Sequence, residues 1–526
     1  MGFKVSSLWT APEVNPINKK ARSVPILNVL NVYGRVFFFS WFSFMIAFWS
    51  WYAFPPLLED IIRKDIHLSK TGVLNSNIIA LVATLLVRLV AGPCCDRYGP
   101  RWTFAGCLLA GAIPTFLAGC VYNPAGLMVL RFFIGILGGS FVPCQVWTTG
   151  FYDKNIVGTA NSITAGLGNA GGGITYFVMP AVYNSLVGDG LSEHTAWRVA
   201  FIVPGILIVA AAVALLVLCP DTPTGKWSER EQAAQNNLRS HSLSGAIVDV
   251  PGHLDEARKA KQTSSTDSGS GSGSNTPTQG VVAEEKKLDN TRGTFNDHEA
   301  QMGEEQMLDT ARGEVVQKPS FKEIFAVILT PQTMVMGAAY FCSFGAELSI
   351  NSILGNYYHK NFPALSLQTR GSWAAMFGLM NVVWRPLGGL VGDIVYNRTK
   401  SVWSKKILLH SYGLIMGGFL VALGASDPHN LTTMVCLIGI GLAFFLEGAN
   451  GLTYSVVPHV HPHANGVVSG FTGACGNLGG IIFAIIFRYE GTNFGRSIWI
   501  IGVIAMAIHV CVCWINPIPK GQIGGR

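Results

Sequence analysis

Apolar runs about twenty residues long, parted by short polar stretches, recur along this chain. A run of that length crosses the roughly 30 Å hydrocarbon core of a bilayer as a helix rising 1.5 Å per residue. Twelve spans are expected, at roughly 36–57, 72–93, 102–122, 125–148, 157–183 and 199–219, then 333–357, 370–396, 406–425, 431–457, 465–488 and 497–515. The pattern therefore predicts an all-α membrane protein with twelve transmembrane helices in two six-helix bundles, 36–219 and 333–515. Residues 1–35 form a polar leading segment and 516–526 a short tail. No short apolar stretch with a small-residue cleavage site precedes the first span, so no cleaved leader is expected. Residues 220–332 break the pattern with SSTDSGSGSGSNTP and the run EEKK. Such a stretch cannot bury a core and is expected to be largely disordered. Within it, LDNTRG at Leu288 recurs as LDTARG at Leu308, and FKEIFAVIL from Phe321 suits a short amphipathic helix on the inner membrane surface.

One charge interrupts the second span. Arg88 lies eight residues before Asp96, the residue at which that helix leaves the bilayer. At 1.5 Å per residue this is roughly 12 Å of depth, and a guanidinium there costs several kcal/mol unless it faces a polar interior. The second half repeats the arrangement. Arg385 precedes Asp393 by the same eight residues, and Gly92 and Gly389 each stand four before their aspartate. A second echo pairs GLGNAGGG at Gly166–Gly173 with ACGNLGG at Ala474–Gly480, and Gly158 with Gly466 at the same offset. Two motifs in the same order in both halves argue for internal duplication, which makes the bundles pseudo-symmetric. Parallel repeats with a site between them at the midplane are a transporter architecture.

Composition narrows the function further. Only 13% of the residues are charged and the net charge is a modest +7, with no basic stripe interleaved with aromatics, so nucleic acid is not an expected partner. An even number of spans puts both termini on one side. The short segments on that side carry about fourteen Lys and Arg against about seven opposite, which reads both termini as cytoplasmic. The sequon at Asn430 then falls outside, where it is open to glycosylation. The eleven cysteines are scattered through the spans and read as small apolar packers. His459, His461 and His463 alternate before the eleventh span; a solvated loop is expected there rather than a metal site. No metal or cofactor is expected. No nucleophile elbow, phosphate loop or HExxH motif occurs, so the chain is not expected to be an enzyme. The first span holds Trp41, Phe42, Phe44, Phe48, Trp49, Trp51 and Tyr52; most read as lipid contacts or interfacial anchors, with Phe48 the ring expected to face inward.

Gly92-PCC-Asp96-Arg97-Tyr98-Gly99 resembles the inner 2–3 loop motif of the major facilitator superfamily, with Gly389-LVG-Asp393 a degraded copy. GNAGGGIT from Gly168 and GNLGG from Gly476 look like the paired signatures of its nitrate/nitrite porter family. RVFFFSW, NSNIIAL, RFFIGILGG, FVPCQVW and DTPTGKWSER resemble the fungal high-affinity nitrate transporters in particular. The resemblance implies a central pathway between two bundles and alternating access. It implies substrate contacts at Arg88 and Arg385, at the signature asparagines Asn169 and Asn477, and at Tyr340 with Phe344 one turn later. The fourth-helix aromatic of bacterial members has no secure counterpart in the sequence. Nitrate, with nitrite as a second candidate, and protons are the implied partners of a plasma-membrane protein that works as a monomer in the lipid bilayer.

The chemistry suits that reading. Nitrate is a planar monoanion, and a guanidinium offers a planar fork of donors that lysine lacks. A membrane negative inside opposes anion entry by about 2.3 kcal/mol per charge per 100 mV, so accumulation needs a coupled cation. Two protons per nitrate make the cycle carry positive charge inward. Glu347 and Glu447 are the carboxylates expected to take that proton. Each is alternatively a structural partner for an arginine such as Arg131. Glu347 ranks first because it lies about two turns from Tyr340 on a similar face. The competing readings are nitrate–nitrite exchange and a membrane sensor that signals through the central loop.

Overall fold

The computed structural model describes residues 5–240, 314, 320–365 and 367–519. We number the long helices α1 Val32–Trp51, α2 Lys70–Tyr98, α3 Pro100–Phe116, α4 Pro124–Phe151, α5 Val157–Gly188 and α6 Glu193–Leu218 in the first half. In the second half they are α7 Pro331–Asn361, α8 Thr369–Thr399, α9 Val402–Ser426, α10 Leu431–Val460, α11 Asn465–Glu490 and α12 Phe494–Val512. Eleven of these are long and apolar enough to cross a membrane. The remaining one, α5, has the length but not the apolarity: its Gly, Ser, Thr and Asn residues are largely buried against other helices rather than shown to lipid. No β-strand occurs among the described residues, and the protein is a multi-pass helical membrane protein.

The two halves pack alike. In the first, α1 lies on α5, α2 on α4 and α3 on α6; in the second, α7 lies on α11, α8 on α10 and α9 on α12. The halves meet crosswise, α2 against α11 and α5 against α8. Both crossings use the glycines that the sequence repeats. A Cβ on Gly92 would strike the Gly466 carbonyl, and one on Gly389 would strike the Gly158 carbonyl. Small residues let backbones approach where lipid supplies no hydrophobic drive between helices.

The duplicated aspartates close these crossings. Asp96 accepts from the Gly466 and Val467 amides at 2.8 and 2.9 Å. Asp393 accepts from the Gly158 and Thr159 amides at 3.2 and 2.5 Å and from the Thr159 hydroxyl at 2.8 Å. Each carboxylate thus sits at the first turn of a helix in the other half, where unpaired amides and the helix dipole favour negative charge. Both caps lie at the end of the bundle that carries the termini. Beneath them, Asn15 donates to Asp153 at 2.8 Å, Lys20 pairs with Glu314 at 2.7 Å and the Trp227 indole donates to the Asp96 carbonyl at 3.0 Å. The DTPTGKWSER stretch is therefore folded against the bundle, with Asp221 holding Arg101 at 2.8 Å. The remaining central-loop expectations, including both LDxxRG repeats, fall on 241–313 and 315–319, outside the described residues. At the far end of that loop, Phe321–Ile328 is a helix with a Ser320/Glu323 capping box. Its Phe321 and Phe325, with Leu329 just beyond, are exposed, as a helix seated in a lipid interface requires.

Candidate functional site

Arg88 and Arg385 come together at the centre, and both are almost wholly buried, at 1% and 0% exposure. Their guanidinium carbons lie 5.4 and 5.7 Å from the centroid of one ring, Phe344. That ring stacks on Tyr340 at 4.9 Å, one turn earlier on α7. Local backbone irregularity positions each arginine. A tight 3₁₀ stretch, Gly135–Ser140, interrupts α4 and presents the Gly138 carbonyl to Arg88 Nε at 3.0 Å. Arg88 Nη1 reaches the Gly473 carbonyl of α11, also at 3.0 Å. In α8 a break at Met380 begins a second helical segment at Asn381. The Asn381 amide oxygen accepts from Arg385 Nη1 at 2.8 Å, and the Tyr340 hydroxyl accepts from Nη2 at 2.9 Å. Arg385 Nε has no protein partner.

Two rings that the sequence reading missed complete the enclosure. Phe141, the first residue after the 3₁₀ stretch of α4, lies 4.8 Å beneath Arg88. It packs against Tyr454 of α10 at 4.9 Å and Tyr340 at 6.2 Å. This supplies a fourth-helix aromatic where none was secure from the sequence. Periodicity counted along an unbroken helix fails across a 3₁₀ segment, whose three residues per turn rotate the face. Tyr454 donates to the Ser469 carbonyl at 3.0 Å.

Both candidate carboxylates lie beside Arg385. Glu347 approaches Arg385 Nη1 at 3.8 Å and accepts from the Asn381 and Asn450 amides, each at 2.8 Å. Glu447 accepts from Asn450 at 3.4 Å, and its other oxygen has no hydrogen-bond partner among the described residues. The Asn450 amide, donating to both, places the two carboxyls side by side. Two guanidiniums here face two carboxyls, so a proton on either carboxyl would leave one positive charge over, which one monovalent anion would cancel. Arg131 is not the partner of either glutamate. It donates instead to the Trp51 carbonyl at 3.2 Å and to Asn77 at 2.6 Å, between α1 and α2.

The other candidates divide. Asn477 sits on α11, and its amide donates to the Gly473 carbonyl that also holds Arg88. Asn169 is buried on α5 with neither amide atom bonded to protein. Phe48 does not reach either guanidinium among the described contacts; it packs with Phe44, Trp51 and Tyr52. It is Phe44 that touches Phe141, at 5.4 Å, because it lies one turn nearer the centre on α1. The three histidines do not form a solvated loop. His459 is buried at the end of α10, and His461 is buried and bonds Thr330 at 3.1 Å. No cluster of metal-ligating side chains occurs among the described residues.

The sequence profile of the Major Facilitator Superfamily matches residues 40–484. Elsinochrome transporter 1 of Elsinoe fawcettii is 41% identical, over 99% of this chain and 100% of its own. High affinity nitrate transporter 2.5 of Arabidopsis thaliana is 30% identical, over 94% of this chain and 82% of its own. The nitrate/nitrite transporter NrtP of Nostoc punctiforme is 25% identical, over 93% of each. Among solved structures, the proton:xylose symporter XylE superposes with a TM-score of 0.56 at 14% identity, over 90% of this chain and 94% of that one, a likeness of fold alone.

Proposed function

This chain belongs to the Major Facilitator Superfamily, as a transporter and not an enzyme, and on that premise we propose that it takes up nitrate across the plasma membrane by proton-coupled alternating access. One observation carries the proposal: two buried guanidiniums, from duplicated positions in the two halves, converge on one aromatic ring. A planar monoanion fits between two planar forks of donors, and rings above and below exclude water, which strengthens each charge-assisted bond. Nitrite shares the charge and the acceptor geometry and is the second substrate. The bundles 36–219 and 333–515 act as the two moving bodies. Residues 220–332 link them on the cytoplasmic side, where both termini lie, and the monomer suffices.

Coupling follows from competition for Arg385. An ionised Glu347 and a bound anion both draw on its charge. Protonating Glu347 frees Arg385 for the anion, and by linkage a bound anion favours the proton on the carboxyl pair. The pair Glu347–Glu447 and the bridging Asn381 and Asn450 thus join the two binding events without direct contact. With two protons per nitrate, uptake proceeds against a gradient that alone opposes it by about 2.3 kcal/mol per 100 mV.

A second reading rests on the 41% relative, which is named for a different cargo. In it, the route carries elsinochrome or a similar organic molecule. Reconstituted vesicles separate the two. On the proposed function, nitrate added outside at acid pH gives a saturable inward positive current and accumulates. Electroneutral nitrate movement that requires nitrite inside would replace it with exchange. No nitrate flux, with export of the organic cargo, would replace it with the second reading. Nitrate binding without flux would leave a sensor.

A further inference from the structure

The two interhelical caps at the end bearing the termini are not equivalent. Among the described residues, Asp96 takes its side-chain hydrogen bonds from the Gly466 and Val467 amides alone. Asp393, holding the first turn of α5, is also paired with Lys405 of α9 at 2.9 Å, and that lysine is fully buried. Lys405 donates further to the Ser455 carbonyl at 3.2 Å and to His459 Nε2 at 3.3 Å, both on α10. Tyr396 of α8 covers the pair, 4.9 Å from the ammonium and 5.0 Å from the imidazole. Lys154, from the connection between α4 and α5, lies within electrostatic reach of His459. The titratable groups recorded near this imidazole among the described residues include two lysines, one aspartate already engaged by a lysine and a helix N-terminus, and one tyrosine.

We infer that His459 is a proton-sensing switch on this gate, held uncharged while the gate is closed and able to hold it open once protonated. The geometry gives the direction. Nε2 accepts from an ammonium, so it cannot carry a proton in this arrangement. A protonated ring would lose the Lys405 bond and set a second cation beside it, with Lys154 adding to the repulsion. Lys405 would then release Asp393, and Asp393 its grip on α5. Opening this end parts α5 from α8 and admits water to His459, which there titrates in its ordinary range near 6.5. A proton bound only by the open form stabilises that form. Acid on the terminal side thus retains the gate in the open conformation and slows its return. On the reading above, which makes that side the cytoplasm and protons the co-substrate, this brakes uptake as imported protons accumulate.

The test uses purified full-length protein in nanodiscs without nitrate, so it does not depend on the substrate. Spin labels go at cysteines replacing Lys226 and Arg398, exposed residues of opposite halves on this face. The exposed native cysteines Cys120, Cys436, Cys511 and Cys513 are removed first. Lowering the pH from 7.5 to 5.5 is expected to shift the closed-to-open ratio by about tenfold with a midpoint near 6.5, as one histidine does. His459→Gln, whose side-chain oxygen still accepts from Lys405, is expected to abolish the shift. Glu347→Gln is expected to leave it intact, which separates this switch from the coupling carboxylates. If His459→Gln does not fold, Lys405→Gln carries the test, with a reduced shift expected. A full shift in either variant, or none in the parent, overturns the inference.

Discussion

Arg88 and Arg385 use their donors differently, and that difference makes them separable by mutation. Arg88 is bound by two main-chain carbonyls, which no side-chain change removes. Arg385 is bound by Asn381 and Tyr340 and faces Glu347. Lysine at either site keeps the charge and loses the planar fork. Losing a charge-assisted bond costs about 1.5–3 kcal/mol, so Arg88→Lys and Arg385→Lys are each expected to raise the KM for nitrate roughly ten- to a hundredfold. Uptake kinetics in correctly localised variants check this; an unchanged KM would remove the arginine pair from the site. Glu347→Gln keeps the Asn450 and Asn381 contacts in part but cannot ionise. It is expected to leave nitrate exchange measurable while abolishing nitrate-driven proton influx. Retained influx in both Glu347→Gln and Glu447→Gln would move coupling to water or the bound anion.

At the scale of elements, the crosswise caps and an outer-loop clamp are the tests. Asp96→Ala removes the carboxylate from the first turn of α11. Loss of a helix cap costs about 0.5–2 kcal/mol, which moves a two-state gate several-fold toward opening on the terminal side. The label pair described above reads this as a longer distance at neutral pH. On the opposite face Asp65 ties the α1–α2 loop to α6, accepting from the Trp197 indole at 3.0 Å and Arg198 at 2.8 Å and meeting His194 at 2.7 Å. Burial pushes its carboxyl up, but the bonds from His194, Trp197 and Arg198 outweigh burial and hold it below the ordinary aspartate value. A depressed native value means the contribution is present above the unfolded value, roughly pH 4, and is lost as pH falls through the native one. Asp65→Asn is therefore expected to lower the melting temperature at pH 7, with variant and parent converging as the pH falls below the ordinary aspartate range. A gap that stays constant across that range would deny the carboxylate this role.

At the scale of the molecule, the two bundles and the segment joining them make different demands. If the loop only links the bundles, deleting 241–313 is expected to leave vesicle uptake of nitrate unchanged, because the segments folded against the bundle, Asp221 to Arg230 and Phe321–Ile328, remain. Loss of uptake by a well-folded deletion would make the loop part of the transport machinery.

Membrane helices and the duplication were legible in the chain itself, because a bilayer demands long apolar runs and a repeat preserves residue spacing. Even α5, less apolar than its neighbours, falls on an expected span, 157–183, and carries the GLGNAGGG echo of the repeat. A charge deep in a span is costly enough that Arg88 and Arg385 announced themselves. What only the tertiary structure decided was who meets whom. Phe141 lies beneath Arg88 just after a 3₁₀ stretch that rotates the face of α4, while Phe48, buried as expected, packs with Phe44, Trp51 and Tyr52. Glu347 pairs with Arg385, and Arg131 with neither carboxylate, because each choice depends on which helix crosses which. His459 meets Lys405, itself paired with Asp393, because those two residues arrive from two other helices. Spacing along one helix determines which residues share a face; packing between helices determines what that face touches.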